Sequence, residues 1–215
     1  MDSAVFFIDD DASFRRALVR ILNSRGYRAK AYASALEFLQ EKLPDVPACL
    51  ILDLRMPEMN GLDIQEALAR RGKHLPVIFL SGQGDISTSV QAMKAGAIDF
   101  LTKPVDEDEL VCVVSAALER SAKVRDELEK LKRDKEAFES LTPRERDVCV
   151  RIAQGLLNKQ VGFELGTSEK TVKAQRAHVM QKLGATSLAD VVRLMERLRT
   201  AGGTLASRVS AQSPK

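Results

Sequence analysis

The sequence predicts two folded parts joined by a long helix. Residues 1–120 read as a doubly wound α/β domain on a five-stranded parallel sheet, and 141–200 as a small all-α domain of four helices. Three observations carry this. The first 120 residues alternate short β-rich runs with segments of helical period. The fifth helical pattern meets no stop signal until about residue 139. Beyond it, helical segments end at Gly155, Gly166 and Gly184, with no strand pattern between them.

In order, the β-rich runs are 4–8, 28–31, 49–53, 76–80 and 98–101. Helical stretches fall at 13–25, 34–42, 61–71 and 86–95, and a fifth starts near 107. Ser34 with Glu37, and Asp106 with Glu109, have the spacing of helix-starting boxes. Gly26 and Gly96 stand where helices should stop. Such a sheet gathers its ligand site at the carboxyl ends of the strands, where the strand order switches.

The long helix covers the linker 121–140. Leu110, Val114, Ala117, Ser121, Val124, Leu128, Leu131, Lys135 and Phe138 alternate at spacings of three and four. Such a seam over about 45 Å of helix wants a partner, either its own domain or a second helix in a coiled coil. In the rear part, Thr142-Pro143-Arg144-Glu145 combines a cap, a first-turn proline and a reciprocal glutamate. Further helices are expected over 158–165, 168–183 and from Ser187 to about Arg199, and the Gly/Ser/Ala-rich stretch 201–215 is expected to be disordered.

Composition narrows the function. With 45% hydrophobic and 29% charged residues, both parts can bury a core. No apolar run is long enough to span a membrane and no leader is evident, so a cytoplasmic protein without a membrane partner is expected. Cys49, Cys112 and Cys149 are far apart among apolar neighbours, which predicts reduced, packed thiols. Two histidines, His74 and His178, offer little for a zinc site or a histidine-based triad. Charge is divided: residues 1–120 carry 14 basic and 18 acidic groups, and 141–215 carry 13 and 6. A basic rear half points to nucleic acid.

Asp9, Asp10 and Asp53 each follow a β-rich run, so they should converge on one crevice. Crowded carboxylates are costly unless a cation joins them, and an all-oxygen donor set suits Mg²⁺. Ser81 and Lys103 follow two further strands, and a hydroxyl with an ammonium at the same rim suits phosphoryl oxygens.

On Phe7-Ile8-Asp9-Asp10-Asp11, Asp53-Leu54-Arg55-Met56-Pro57, Leu80-Ser81-Gly82 and Ala97-Ile98-Asp99-Phe100-Leu101-Thr102-Lys103-Pro104, the front part resembles the flavodoxin-like receiver domain of two-component response regulators. The resemblance implies that Asp53 accepts a phosphoryl group from a sensor histidine kinase. It implies that Asp9, Asp10, Asp53 and the Arg55 carbonyl hold Mg²⁺, that Lys103 pairs with the phosphoryl, and that Lys103–Pro104 is cis. Ser81 and Phe100 would be the switch pair. Phe100 stands where tyrosine is frequent, so packing alone can carry its signal. Arg55 and Gln83 flank the expected path of the hydrolytic water, and bulky Arg55 is expected to slow loss of the phosphoryl group.

In the rear part, a tight Gly166 turn before a basic helix is the pattern of a helix-turn-helix. Val172, Val179 and Leu183 form its apolar stripe, while Lys170, Lys173, Arg176 and Lys182 lie elsewhere around it. Leu141-Thr142-Pro143-Arg144-Glu145-Arg146, Asn158-Lys159-Gln160-Val161, Leu165-Gly166, Thr171-Val172-Lys173 and Lys182-Leu183-Gly184 resemble the LuxR-type DNA-binding domain, and the whole chain resembles the FixJ subgroup of response regulators. By that resemblance Lys159, Lys170, Thr171, Lys173, Ala174, Arg176 and Lys182 face DNA. Two positions depart from the pattern: Gln175 stands where histidine is common, and Gly162 where alanine is usual.

The implied function is a phosphorylation-gated transcriptional regulator, not an enzyme. Its expected partners are a sensor kinase, a double-stranded operator, RNA polymerase and a second copy of the chain, which would pair through about 86–101. A phosphotransfer protein without essential DNA binding is the alternative.

Overall fold

A computed structural model describes residues 2–56, 61–70, 75–82 and 96–210 of the 215. The chain divides into two compact units, Met1–Asp126 and Glu127–Lys215.

Unit one holds β1 (Ala4–Ile8), α1 (Ala12–Ser24), β2 (Arg28–Tyr32), α2 (Ala35–Leu39), β3 (Ala48–Asp53), α3 (Gly61–Arg70), β4 (Val77–Ser81), β5 (Asp99–Thr102) and the first half of α4 (Glu107–Glu139). All pairings are parallel, in the order β2-β1-β3-β4-β5. The helix expected over 86–95 lies outside the described residues.

Parallel strands need cover on both faces, which is why their sequences are continuously apolar. Val5, Phe7, Cys49, Ile51, Ile78 and Leu80 turn to one face, under Leu18 and Leu22 of α1 and Leu110, Val114 and Ala117 of α4. Phe6, Ile8, Leu50, Leu52 and Phe79 turn to the other, under Phe38 of α2 and Ile64 and Leu68 of α3. Each such side chain, fully buried, contributes roughly 1.5–3 kcal/mol.

Asp11 caps α1 by accepting from the Ser13 and Phe14 amides. Ser34 caps α2, and Asp106 accepts from the Asp108 and Glu109 amides at the start of α4. Gly61 opens α3 at a crowded spot: a Cβ there would sit 2.7 Å from the Phe79 ring and 3.0 Å from the Asp53 carbonyl. Cys49 and Cys149 are buried as expected, and burial pushes their thiols up to about 12 and about 11. Cys112 departs from the expectation: it is exposed, because α4 turns Val113 and Val114 inward instead.

Unit two holds the second half of α4, α5 (Pro143–Ala153), α6 (Asn158–Glu164), α7 (Glu169–Lys182) and α8 (Leu188–Ser210). Its core gathers Leu141, Val148, Ile152, Val161, Val172, Val179 and Val191, with Phe138 of α4 packed against it. The seam of α4 is therefore divided. Leu110, Val114, Ala117 and Ser121 are buried in unit one, Phe138 serves unit two, and Leu128 between them is 53% exposed.

One helix end differs from its expected place, and one glycine finds its reason here. The last helix continues to Ser210, past the expected stop near Arg199. Gly202 and Gly203 each cost about 1 kcal/mol against alanine, but extending a helix already formed is far easier than starting one. Glycine at 162 has a steric cause: a Cβ would lie 2.8 Å from the Thr167 carbonyl oxygen.

Candidate functional site

The register places the acids. Ile8 of β1 faces Leu52 of β3, so the next residue on each, Asp9 and Asp53, emerge side by side where the strand order switches. Asp9 is fully buried, Asp53 nearly so, and Asp10 is exposed. One carboxylate oxygen from each lies within 4.8 Å of the others. The Asp11 amide donates to Asp9 Oδ1 at 2.8 Å, and the Arg55 amide to Asp53 Oδ1 at 2.9 Å. These turns aim both carboxylates and bring the Arg55 peptide to the rim.

Lys103 comes from beyond β5, whose Thr102 faces Ser81 of β4. Its ammonium donates to Asp53 Oδ2 at 2.5 Å and to Asp9 Oδ2 at 2.7 Å. The Lys103–Pro104 bond is cis. Burial pushes the Asp9 carboxyl up, against the opposing pull of Lys103 and the Asp11 amide. Burial works against charge on Lys103 as well, but its bonds to Asp53 and Asp9 outweigh that and raise its pKa. One ammonium cannot neutralise three carboxylates. The surplus negative charge and the oxygen-only donors fit a hard divalent cation.

Ser81 is fully buried, and its hydroxyl donates to the Gly82 carbonyl at 3.0 Å. Phe100 is half-buried against the Phe79 side of the sheet. The structure thus gathers Asp9, Asp10, Asp53 and Lys103, with Ser81 one register step away. Gln83 lies outside the described residues. Three neighbours were missed in the sequence. Asp11 caps α1, Arg15 donates to the Asp9 carbonyl at 2.5 Å, and the Phe14 ring centroid lies 4.4 Å from Lys103 Nζ. An N-cap directly after two acids was the signal, since it puts the first turn of α1 beside them.

In unit two, Gly166 at φ 61° turns the chain between α6 and α7, and the Thr167 amide bonds back to the Gly162 carbonyl at 2.9 Å. Arg144 donates to the Leu165 carbonyl at 2.5 Å, and Ser168 caps α7. Val172 and Val179 are buried, so the opposite stripe of α7 is outward: Lys170, Lys173, Ala174, Ala177 and Gln181 are all exposed. Lys159 and Thr171 are exposed too, the Thr171 hydroxyl bonded to Ser168 at 2.8 Å. Arg176 is half-buried and donates to Asn158 Oδ1 at 3.3 Å.

Lys182, which the sequence placed in the DNA-facing set, is exposed and also bonded within the domain. It donates to Glu145 Oε2 at 2.7 Å, and the same oxygen accepts from the Thr142 amide at 2.8 Å. The bond from Lys182, with that from Thr142, holds the Glu145 carboxyl down to about 2. The physical reason is spacing: Lys182 is on the last turn of α7, beside the start of α5, and closes the domain there.

Comparison with known proteins agrees with both units. The family described as "Response regulator receiver domain" matches residues 5–115, and "Bacterial regulatory proteins, luxR family" matches 139–195. Nodulation protein W of Bradyrhizobium diazoefficiens is 49% identical over 90% of this chain and 86% of its own length. Transcriptional regulatory protein FixJ of Azorhizobium caulinodans is 38% identical over 88% and 90%. The solved structure of the response regulator StyR superposes with a TM-score of 0.82 at 41% identity, covering 92% of this chain and all of that one.

Proposed function

Since this chain belongs to the FixJ subgroup of two-component response regulators, with a receiver domain and a LuxR-type DNA-binding domain, we propose that Asp53 is its phosphoacceptor and gates its binding to DNA. Among the described residues no helix is long and apolar enough to cross a membrane. The observation that carries the reading is the shared ammonium of Lys103, bonded to Asp53 and Asp9 at the switch in strand order.

An Asp53 oxygen attacks the phosphorus of a phosphohistidine on a sensor kinase. The O–P bond forms as the P–N bond breaks, and the imidazole departs with the electron pair and takes a proton from water. There is little covalent work for the protein beyond this, so positioning and charge neutralisation supply the catalysis. Asp9, Asp10 and Asp53, with the Arg55 carbonyl, would hold Mg²⁺, which would neutralise the crowded carboxylates and the incoming oxygens. Lys103 turns from Asp53 to a phosphoryl oxygen. Ser81 exchanges the Gly82 carbonyl for another, and Phe100 moves into the space it leaves.

The reshaped surface beside β5 pairs with a second copy. Two α7 helices then enter successive major grooves of an operator. Lys159, Lys170 and Lys173 reach phosphates and base edges, Gln181 adds an amide suited to adenine, and Ala174 and Ala177 let the backbone come close. RNA polymerase recruited to that complex completes the output.

The test is duplex-DNA binding and solution mass with and without a small phosphodonor plus Mg²⁺, using fragments selected from genomic DNA. Tighter binding and doubled mass in the wild type, absent in Asp53→Asn, are expected. Phosphorylation that leaves both unchanged favours the phosphotransfer alternative.

A further inference from the structure

We propose that Phe14 is a positioning residue for phosphotransfer, its ring forming the third wall of a cradle that holds the Lys103 ammonium at Asp53. The inference rests on the assignment of Asp53 and Lys103 made above.

Lys103 Nζ has two anionic partners, Asp53 Oδ2 and Asp9 Oδ2, and its side chain is still 24% exposed. A lysine stem carries several rotatable bonds, so two carboxylates do not by themselves fix where the ammonium sits. The Phe14 ring supplies the missing wall, with its centroid 4.4 Å from Nζ. An aromatic face attracts a cation through its quadrupole, and more strongly where water is excluded.

Phe14 is itself held from two directions. Its amide donates to Asp11 Oδ1 at 3.2 Å, which fixes the first turn of α1. The buried Phe7 ring meets it edge-on at 5.8 Å between centroids. The same turn fixes Asp9, whose Oδ1 accepts from the Asp11 amide at 2.8 Å. One local structure thus aims a carboxylate and an ammonium together.

This arrangement bears on the reaction because Lys103 must exchange partners without leaving the site. As the O–P bond forms at Asp53, negative charge arrives on the phosphoryl oxygens and the ammonium has to move from Asp53 Oδ2 to one of them. An aromatic face stabilises the cation without being an acceptor that competes for its N–H groups. Phe14 therefore keeps Lys103 at the rim while leaving its donors free for the exchange. An aliphatic side chain of similar size fills the volume but gives the cation no such berth.

The experiment measures phosphorylation of the full chain by phosphoramidate with Mg²⁺, read as phosphoprotein on a phosphate-affinity gel. It compares wild type, Phe14→Leu, Phe14→Tyr, Lys103→Met and the two Phe14 changes combined with Lys103→Met, with circular dichroism as the check on folding. Phe14→Leu is expected to slow phosphorylation roughly threefold to tenfold, and Phe14→Tyr to stay within about twofold of wild type. In the Lys103→Met background, Phe14→Leu is expected to cause no further slowing. Phe14→Met replaces Phe14→Leu if the latter does not fold, with the same expectations. A wild-type rate in Phe14→Leu, or equal slowing with and without Lys103, overturns the proposal. Asp53→Asn separates the two failures: if it still takes up phosphoryl, the phosphoacceptor assignment has fallen, and if it does not, the outcome bears on Phe14 alone.

Discussion

Each unit holds a lysine against a shielded carboxylate, at nearly the same distance, and the two contacts do different things. In the receiver unit Lys103 meets Asp53 at 2.5 Å and Asp9 at 2.7 Å, while in the DNA-binding unit Lys182 meets Glu145 at 2.7 Å. What separates them is the charge around the pair. Lys103 faces more carboxylates than it can neutralise, and burial pushes Asp9 toward its proton-bound form. Glu145 has one ammonium and one helix amino terminus to itself, and its carboxyl is held down to about 2. The crowded pair can accept another cation and an anionic group, whereas the matched pair closes a small domain. Distance alone does not tell an exchange site from a lock; the balance of charge does.

The comparison breaks most visibly if Asp9 is dispensable. Asp9→Asn is expected to weaken Mg²⁺ binding by roughly 10- to 100-fold, measured by titration calorimetry on the unphosphorylated chain. Unchanged affinity would remove the receiver half of the contrast.

Next in size is a pair of lysine substitutions in the DNA-binding unit. Lys173→Ala should weaken duplex binding and reduce its salt slope by about 1, as for one lost phosphate contact. Lys182→Met should lower thermal stability and leave that slope unchanged. Equal slopes in the two variants would return Lys182 to the DNA-facing set.

A smaller effect is expected at the rear of the acidic site. Gly61→Ala puts a methyl group against the Phe79 ring and the Asp53 carbonyl, and overpacking of this kind costs about 1–3 kcal/mol. Chemical denaturation of the full chain, followed on the receiver transition, measures it.

The smallest is a pH effect on the lock. The folded pKa of Glu145 lies below its ordinary 4.5, so the stability it contributes is present above pH 4.5 and is lost as pH falls toward about 2. Glu145→Gln should flatten the acid side of the stability curve of the DNA-binding unit in that window. An unchanged acid limb would show that ionised Glu145 contributes nothing there.

Much of this was legible in the sequence, and the rest failed for definable reasons. Strand-end acids were readable because continuous apolar runs such as Val5-Phe6-Phe7-Ile8 end abruptly in carboxylates, and parallel topology leaves such ends one place to meet. Thr142 with Glu145 was readable because a reciprocal cap is a local pattern. Phe14 and Lys182 were not. Each acts on a residue distant in the chain, Lys103 and Glu145, and only the fold brings them together. The α4 seam was legible only in part, for a related reason. Heptad spacing registers an apolar face but not the change of partner along it, from the sheet at Val114 to the DNA-binding core at Phe138.

The most direct test of the central claim locates the phosphoryl group. The full chain is treated with phosphoramidate and Mg²⁺, the acyl phosphate is trapped by borohydride reduction, and the peptides are sequenced by mass spectrometry. Reduction at Asp53, dependent on Mg²⁺ and abolished by Asp9→Asn, is the result this account predicts. A phosphoryl group on another residue, or one taken up equally well without the divalent ion, would contradict it.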